Sequence, residues 1–460
     1  MKPSSSRRRS AARTATSTST ACSTSWPSSC ARPRRKRGAA RNLPLRARGA
    51  RPLFAFLPRF DSTMNTAADS LLRLASRVDA IEPFYVMEIV KEAAVLERAG
   101  RDIIHMSIGE PDFTAPEPVV DAAAAALRRG VTQYTSALGI APLREAIAAH
   151  YARAHGLSIA PERIVVTAGA SAALLLACLA LVGRDDEVLM PDPSYPCNRH
   201  FVATAEGRAV LVPSGPETRF QLTADDVKTR WGERTRGVLL ASPSNPTGTS
   251  LEPAELGRII DAVRARGGFS IVDEIYQGLS YDGAPVSALS FGDDVVTVNS
   301  FSKYFNMTGW RLGWLVVPPA LVGTFEKLAQ NLFICPSALA QHAALACFEP
   351  DTLAIYEARR AEFRRRRDFI VPAIESLGFK VPVMPDGAFY VYAQCGGVAH
   401  PAAGDSAALV NAMLHDAGVV LVPGMDFGVH APRDYIRLSY ATAYSRLEEA
   451  VERLGKLFGR

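Results

Sequence analysis

The stretch Ser300-Phe-Ser-Lys303-Tyr-Phe-Asn-Met-Thr-Gly-Trp-Arg311-Leu-Gly313 decides how this chain reads. It follows an apolar, β-branched run, Val295–Asn299, that predicts a buried strand. A lone lysine after such a strand is ordinarily solvated. Here two serines precede it, and Arg311 follows between Trp310 and Leu312. An amine in apolar surroundings beside a cation loses proton affinity and becomes a nucleophile able to form a Schiff base with a carbonyl. Ser300, Ser302 and Arg311 offer donors suited to a phosphate.

Outward from this segment, short apolar runs alternate with amphipathic ones. Strands are predicted at Ile164–Thr167, Glu187–Met190, Ala209–Val212, Gly237–Ala241, Phe269–Asp273, Val295–Asn299 and Trp314–Val317, with helices such as Ala172–Leu181 and Glu255–Arg266 between them. Near-continuous apolar strands separated by helices predict an α/β fold, a mostly parallel sheet covered on both faces. Ligands of such sheets sit beyond the carboxyl ends of the strands, and polar residues collect there. Thr167-Ala-Gly-Ala-Ser171 leads from a strand into an apolar helix, where small residues let backbone N–H groups approach an anion; a plain turn with a serine cap fits equally. Asn245-Pro-Thr-Gly248 follows another strand and by itself reads as a turn. Asp273 ends the strand Phe269–Asp273, with Tyr276 three residues on; a buried acid there needs a cationic or hydrogen-bonding partner.

The flanks set the boundaries. A helical pattern runs from Leu71 to Arg98, broken at Pro83, and a long charged helix is predicted at Leu353–Ile374. A smaller α+β unit follows, with strands at Phe389–Tyr392, Val419–Val422 and Tyr435–Tyr440. The expected organisation is a basic leader over residues 1–63, an arm and part of the small domain over 64–112, a large domain over 113–355 and the small domain over 356–460. Residues 1–63 hold 13 Arg and 2 Lys against one acid, Asp61, and show no helical or strand period. A transit segment, a nucleic-acid tail and a stretch upstream of a natural start at Met64 all fit; the onset of globular patterning directly after Met64 favours the last.

The formal net charge of the chain is +6, so without the leader's excess of +14 the body stands at −8, which gives no reason to expect nucleic-acid binding. The longest uncharged apolar stretch, Ala168–Gly183, is short for a membrane span and reads as a buried helix. The 7 cysteines are an odd number with no pair at metal-ligand spacing, which predicts a reduced, cytoplasmic setting without bound metal or a disulfide framework.

At this point the sequence resembles the class I aminotransferases (class I/II), pyridoxal-phosphate enzymes of fold type I. The resemblance runs from about Ile81 to the C-terminus. It rests on Ser-x-Ser-Lys with Met-Thr-Gly-Trp-Arg-x-Gly behind it, in company with Ser107-Ile-Gly-Glu-Pro-Asp112, Tyr134 with Gly139, Gly169-Ala-Ser171, Pro193-Ser-Tyr195-Pro, Asn245-Pro-Thr-Gly248, Asp273-x-x-Tyr276 and Arg437. It implies that Lys303 carries pyridoxal 5'-phosphate as a Schiff base and shuttles the proton. Asp273 would pair with the pyridine nitrogen, Asn245 and Tyr276 would bond the phenolic oxygen, and Tyr195 would stack on the ring. Ala170, Ser171, Ser300, Ser302 and Arg311 would hold the phosphate, with Tyr134 reaching it from a neighbouring subunit of a homodimer. Arg437 would clamp the substrate α-carboxylate, helped by the backbone at Gly109 and by Asn245.

The implied activity is ping-pong transfer of an α-amino group from an amino acid to a 2-oxo acid. Many dicarboxylate-specific members of the family it resembles carry a second basic residue for the distal carboxylate, in one branch an arginine in the segment after the large domain's last strand and in another a lysine right after the phosphate-loop glycine. Here Asn331-Leu-Phe-Ile-Cys-Pro-Ser337 holds no arginine and the second place is Ala170, so a neutral or aromatic substrate is expected over aspartate. Phe84, Ile108 and Tyr390 fit an apolar side-chain pocket, and fit the core as well. A β-lyase of cysteine conjugates would use the same lysine. A ligand sensor fused to a DNA-binding module would need a helix-turn-helix upstream, and residues 1–63 show no helical period.

Overall fold

A computed structural model describes residues 73–83, 85–283 and 285–459, which fall in one unit, Arg73–Arg460. The expectations placed on residues 1–63, and on the side chain of Phe84, lie outside the described residues. In chain order the strands are β1 (Ile104–His105), β2 (Ile164–Thr167), β3 (Glu187–Asp192), β4 (Arg208–Pro213), β5 (Thr235–Ala241), β6 (Phe269–Asp273), β7 (Val296–Ser300), β8 (Gly313–Val316), β9 (Tyr390–Gln394), β10 (Val419–Val420), β11 (Val422–Pro423) and β12 (Tyr435–Ser439).

Seven of these form one sheet in the order β2-β8-β7-β6-β5-β3-β4. All of its ladders are parallel except those of β8, which runs antiparallel to both β2 and β7. The expected strands match β2 to β8 to within two residues at each end. Most form because their side chains are buried on both sides, β2 and β8 throughout their lengths, while β4 at the sheet edge is only partly buried, as a largely covered sheet requires. On one face the helix Ala170–Leu181, apolar all round, packs with Val188, Met190, Leu239 and Val298. On the other the helix Pro253–Arg264 turns Leu256, Ile259, Ile260 and Val263 toward Val238, Leu240 and Val272. Their spacing makes one helical stripe.

The run Val419–Val422 was expected as one strand and is two. Val419 and Val420 pair with β1 in a parallel ladder; Val422 and Pro423 pair antiparallel with β12. The chain changes partner at Leu421, whose side chain is fully buried. β1 has only two residues, too few for any period to show. The helical pattern from Leu71 resolves, within the described residues, into a 3-10 turn Ser76–Ala80 and a helix Tyr85–Arg98, the break falling around Pro83 as expected. β9, β11 and β12 make a three-stranded antiparallel sheet, and the long helix Pro350–Ser376 precedes it. No helix among the described residues is long and apolar enough to cross a membrane.

Arg163 locks the edge of the large sheet. Its buried guanidinium donates to the Val317 carbonyl (2.9 Å), to the Asp293 carbonyl (3.1 Å) and to the Asp293 carboxylate. Arg163→Met keeps the stem but leaves the Val317 carbonyl without this donor. It is expected to lower stability by about 1–3 kcal/mol, measured by urea unfolding.

Candidate active site

The ends of β2, β5, β6 and β7 open onto one cavity of about 450 Å³. β2 ends at Thr167, and the chain enters its helix through Gly169 at φ +85, a left-handed backbone that favours glycine. A Cβ on Gly169 would stand 2.6 Å from Nη2 of Arg311. The helix has no side-chain cap, so Ser171 is not the capping residue that the bland reading of this turn allowed; it lies in the first turn and lines the cavity with Ala170. Arg311, itself at φ +52, donates from Nη1 to the Thr308 carbonyl at 2.9 Å. Ser300 closes β7; its Oγ accepts from the Ser302 N–H at 3.0 Å, which folds the chain back before Lys303. Ala170, Ser171, Ser300, Ser302 and Arg311 thus share one side of the cavity lining with backbone N–H groups at a helix start.

Lys303 is half-buried, and its Nζ donates to the Gly109 carbonyl at 2.5 Å. Burial pulls this amine down to about 8; Glu110 opposes the fall and Arg437 adds to it. Asp273 is buried at the end of β6, accepting from the Ile275 N–H at 3.1 Å. Burial pushes its carboxyl up to about 7 against that bond and the attraction of Lys303. Desolvation dominates at both groups because neither forms a salt bridge among the described residues.

Arg437, only 2 % exposed, projects from the middle of β12. Nη1 donates to Oδ1 of Asn245 at 2.8 Å and Nη2 to the Ser107 carbonyl, while Nε is buried without a hydrogen-bond partner. The rings of Tyr390 and Phe427 lie 4.6 and 4.7 Å from the guanidinium carbon. A buried guanidinium with neutral partners only is a prepared seat for an anion. Tyr390 is more than lining. Its hydroxyl meets that of Tyr276 at 2.8 Å and fills the space where a Cβ on Gly109 would stand.

The sequence-predicted residues Gly109, Ala170, Ser171, Tyr195, Asn245, Asp273, Tyr276, Ser300, Ser302, Lys303, Arg311 and Arg437 therefore all line this cavity. Tyr134 does not; it is 81 % exposed and stands outside the lining. Sequence reading missed Phe427 and the wall residues Val86, Met87 and Val90, and gave Tyr390 no polar role. Val86 and Val90 sit on an amphipathic helix whose apolar stripe looks like ordinary core.

A nucleophilic amine, a buried acid and an unpaired guanidinium beyond the ends of a parallel sheet define an enzyme site for small carboxylate-bearing molecules. A family model, aminotransferase class I and II, matches residues 101–454, and the chain belongs to that family. Valine–pyruvate aminotransferase of Mycobacterium tuberculosis is 41% identical over 385 residues, which are 83% of this chain and 98% of that protein. The crystal structure of an aminotransferase from Mycobacterium tuberculosis gives a TM-score of 0.80 at 40% identity, covering 84% of this chain and 99% of that one. Aspartate aminotransferase from Thermus thermophilus with maleate gives 0.79 at 34%, covering 84% and 100%. The chain is an aminotransferase.

Asp273 makes stability depend on pH. Its carboxyl, ordinarily near 3.8, titrates at about 7 when folded. Below its unfolded value the acid is neutral in both states and no penalty exists. The penalty grows as pH rises toward 7 and is complete above it. Ligand-free Asp273→Asn is therefore expected to be more stable than wild type at pH 8, by roughly 2–4 kcal/mol, and no more stable at pH 4. Urea unfolding at the two pH values measures it.

Proposed function

We propose that this aminotransferase works with pyridoxal 5'-phosphate, as a cytoplasmic homodimer, and moves the α-amino group of a neutral or aromatic amino acid to a 2-oxo acid in a ping-pong course. One observation carries the reading. Lys303, Asp273 and Arg437 line a single cavity, and none of them forms an ion pair among the described residues. Such a set fits a ligand that brings an aldehyde, a ring cation and a carboxylate to the three places.

In this reading Lys303 is the attachment point, Asp273 faces the pyridine nitrogen, and Asn245 and Tyr276 bond the phenolic oxygen. Tyr195 stacks on the ring. Ala170, Ser171, Ser300, Ser302 and Arg311 hold the phosphate, joined by Tyr134 of the partner subunit; its exposure in the single chain supports that reach. Residues 113–355 form the larger, cofactor-binding part and residues 356–460 belong to the smaller. When bound, the cofactor supplies an electron sink for the bond to the substrate's α-hydrogen. The chain's own residues do the rest. Asp273 holds a positive charge on the heterocycle once that charge offsets its burial. Arg437 grips the α-carboxylate by two N–H groups and fixes how the α-carbon presents its hydrogen. Lys303 Nζ, neutral above about 8, takes the α-proton and returns it.

Substrate choice follows from the remaining wall. Val86, Met87, Val90 and Ile108 are apolar, Ala170 bears no charge where a lysine would serve a second carboxylate, and Glu110 adds a negative group to the lining. The valine–pyruvate name of the relative at 41% identity supports the same side. Other relatives, at 33% to 35% identity, are named aspartate aminotransferases, so the assay must include aspartate.

A panel of amino donors against 2-oxo acids is expected to give a higher kcat/KM for a neutral or aromatic donor than for aspartate. Aspartate ahead by about tenfold, roughly 1.4 kcal/mol, overturns the substrate reading. Lys303→Ala is expected to lose the yellow absorbance of the bound cofactor and to cut turnover by orders of magnitude. Capture of added cofactor by wild-type chain should quicken as pH rises through about 8, as Lys303 loses its proton. Flat capture from pH 6 to 9 counts against this amine.

A further inference from the structure

Part of the apolar wall of the cavity comes from outside the large sheet. Val86, Met87 and Val90 belong to the first turns of the helix Tyr85–Arg98. What holds those turns is remote in sequence. The Asp426 carboxylate accepts the Tyr85 N–H at 3.1 Å through Oδ1 and the Val86 N–H at 3.2 Å through Oδ2. N–H groups of a first helical turn have no partner within the helix. A carboxylate there satisfies two of them and faces the positive end of the helix dipole.

Asp426 is itself buried, in the turn Gly424–Asp426. Arg199 Nη2 donates to its carbonyl at 3.3 Å. The next residue, Phe427, is one of the two rings against the Arg437 guanidinium and packs in one cluster with Val86, Tyr392 and Tyr435. The Phe427 carbonyl accepts from the Ser194 N–H at 2.9 Å, beside Tyr195. Asp192, at the end of β3, accepts the N–H groups of Val429 and His430, both at 3.0 Å. One short loop therefore touches the carboxylate-binding arginine on one side and the helix bearing the apolar wall on the other.

We propose that Asp426 is a positioning residue for the choice of amino-acid side chain. By capping the helix Tyr85–Arg98 it fixes Val86, Met87 and Val90 relative to Arg437, so that a bulky apolar side chain is held when its α-carboxylate is bound. This rests on the neutral-substrate reading above and adds the residue that enforces it.

The test compares Asp426→Ala and Asp426→Asn with wild type, all as holoenzyme. Asp426→Ala is expected to lower kcat/KM for leucine or phenylalanine by about tenfold relative to alanine, the size of a lost helix cap. The loss should lie in KM, with kcat for alanine and the spectrum of the bound cofactor unchanged. Hydrogen exchange at the amides of Tyr85 to Ile89 should quicken. Asp426→Asn, which keeps one acceptor oxygen, should fall between, and it carries the test alone if Asp426→Ala does not fold. Equal losses for all donors, or unchanged exchange at those amides, overturn the proposal. A wild type that prefers aspartate is seen before any variant is made and sinks the substrate reading, whereas unchanged exchange sinks the role of Asp426 alone.

Discussion

A guanidinium removed from water and given no counter-ion is among the most demanding groups a fold can hold, and the cavity is organised around one. An unpaired buried charge costs several kcal/mol unless hydrogen bonds and polarisable surfaces offset it. Arg437 receives a carboxamide oxygen from Asn245, a carbonyl from Ser107, and the rings of Tyr390 and Phe427. These partners come from four separate parts of the chain: the loop after β5, the segment following β1, β9, and the turn before β12. Each moderates the charge without cancelling it, which leaves most of its attraction for an incoming anion. Lys303 and Asp273 are treated alike. Burial drives the amine and the acid toward neutrality at the same time, so a ligand bringing the complementary charges relieves both.

The large sheet was legible in the sequence because most of its strands are buried on both sides and read as unbroken apolar runs between helices. The chemistry at the strand ends was legible for a related reason. Polar residues that interrupt such runs, as Asp273 and Lys303 do, stand out against their neighbours. The direction of β8 was not legible, since apolar composition says nothing of orientation. Nor was the division of Val419–Val422, where an unbroken apolar run looks like one strand and only the partners of its two ends, β1 and β12, separate them. The apolar wall escaped for a third reason. Val86 and Val90 lie on a helical stripe of the kind that normally faces a core, and nothing in their spacing distinguishes packing against protein from packing against a substrate.

Tyr390 shows how a residue can be noticed and still be under-read. Its place in an apolar strand suggested lining, which it provides. The structure adds a hydroxyl in contact with that of Tyr276, a ring against Arg437 and a close approach to the backbone of Gly109. A phenol serves all three because one end is polar and the other apolar. The glycine at 109 is then a steric requirement, since any side chain there would displace the hydroxyl.

The reversed strand β8 has a geometric outcome of its own. Because it runs back alongside β7, with Ser300 opposite Gly313, the segment between them leaves and re-enters the sheet at the same spot. Lys303 and Arg311 are both on that tethered bight. The spacing between the reacting amine and the cation that would hold a phosphate is thereby an internal length of one short tether. Shifts of the arm or of the C-terminal strands leave that length untouched, as a ruler keeps its marks when the bench beneath it moves.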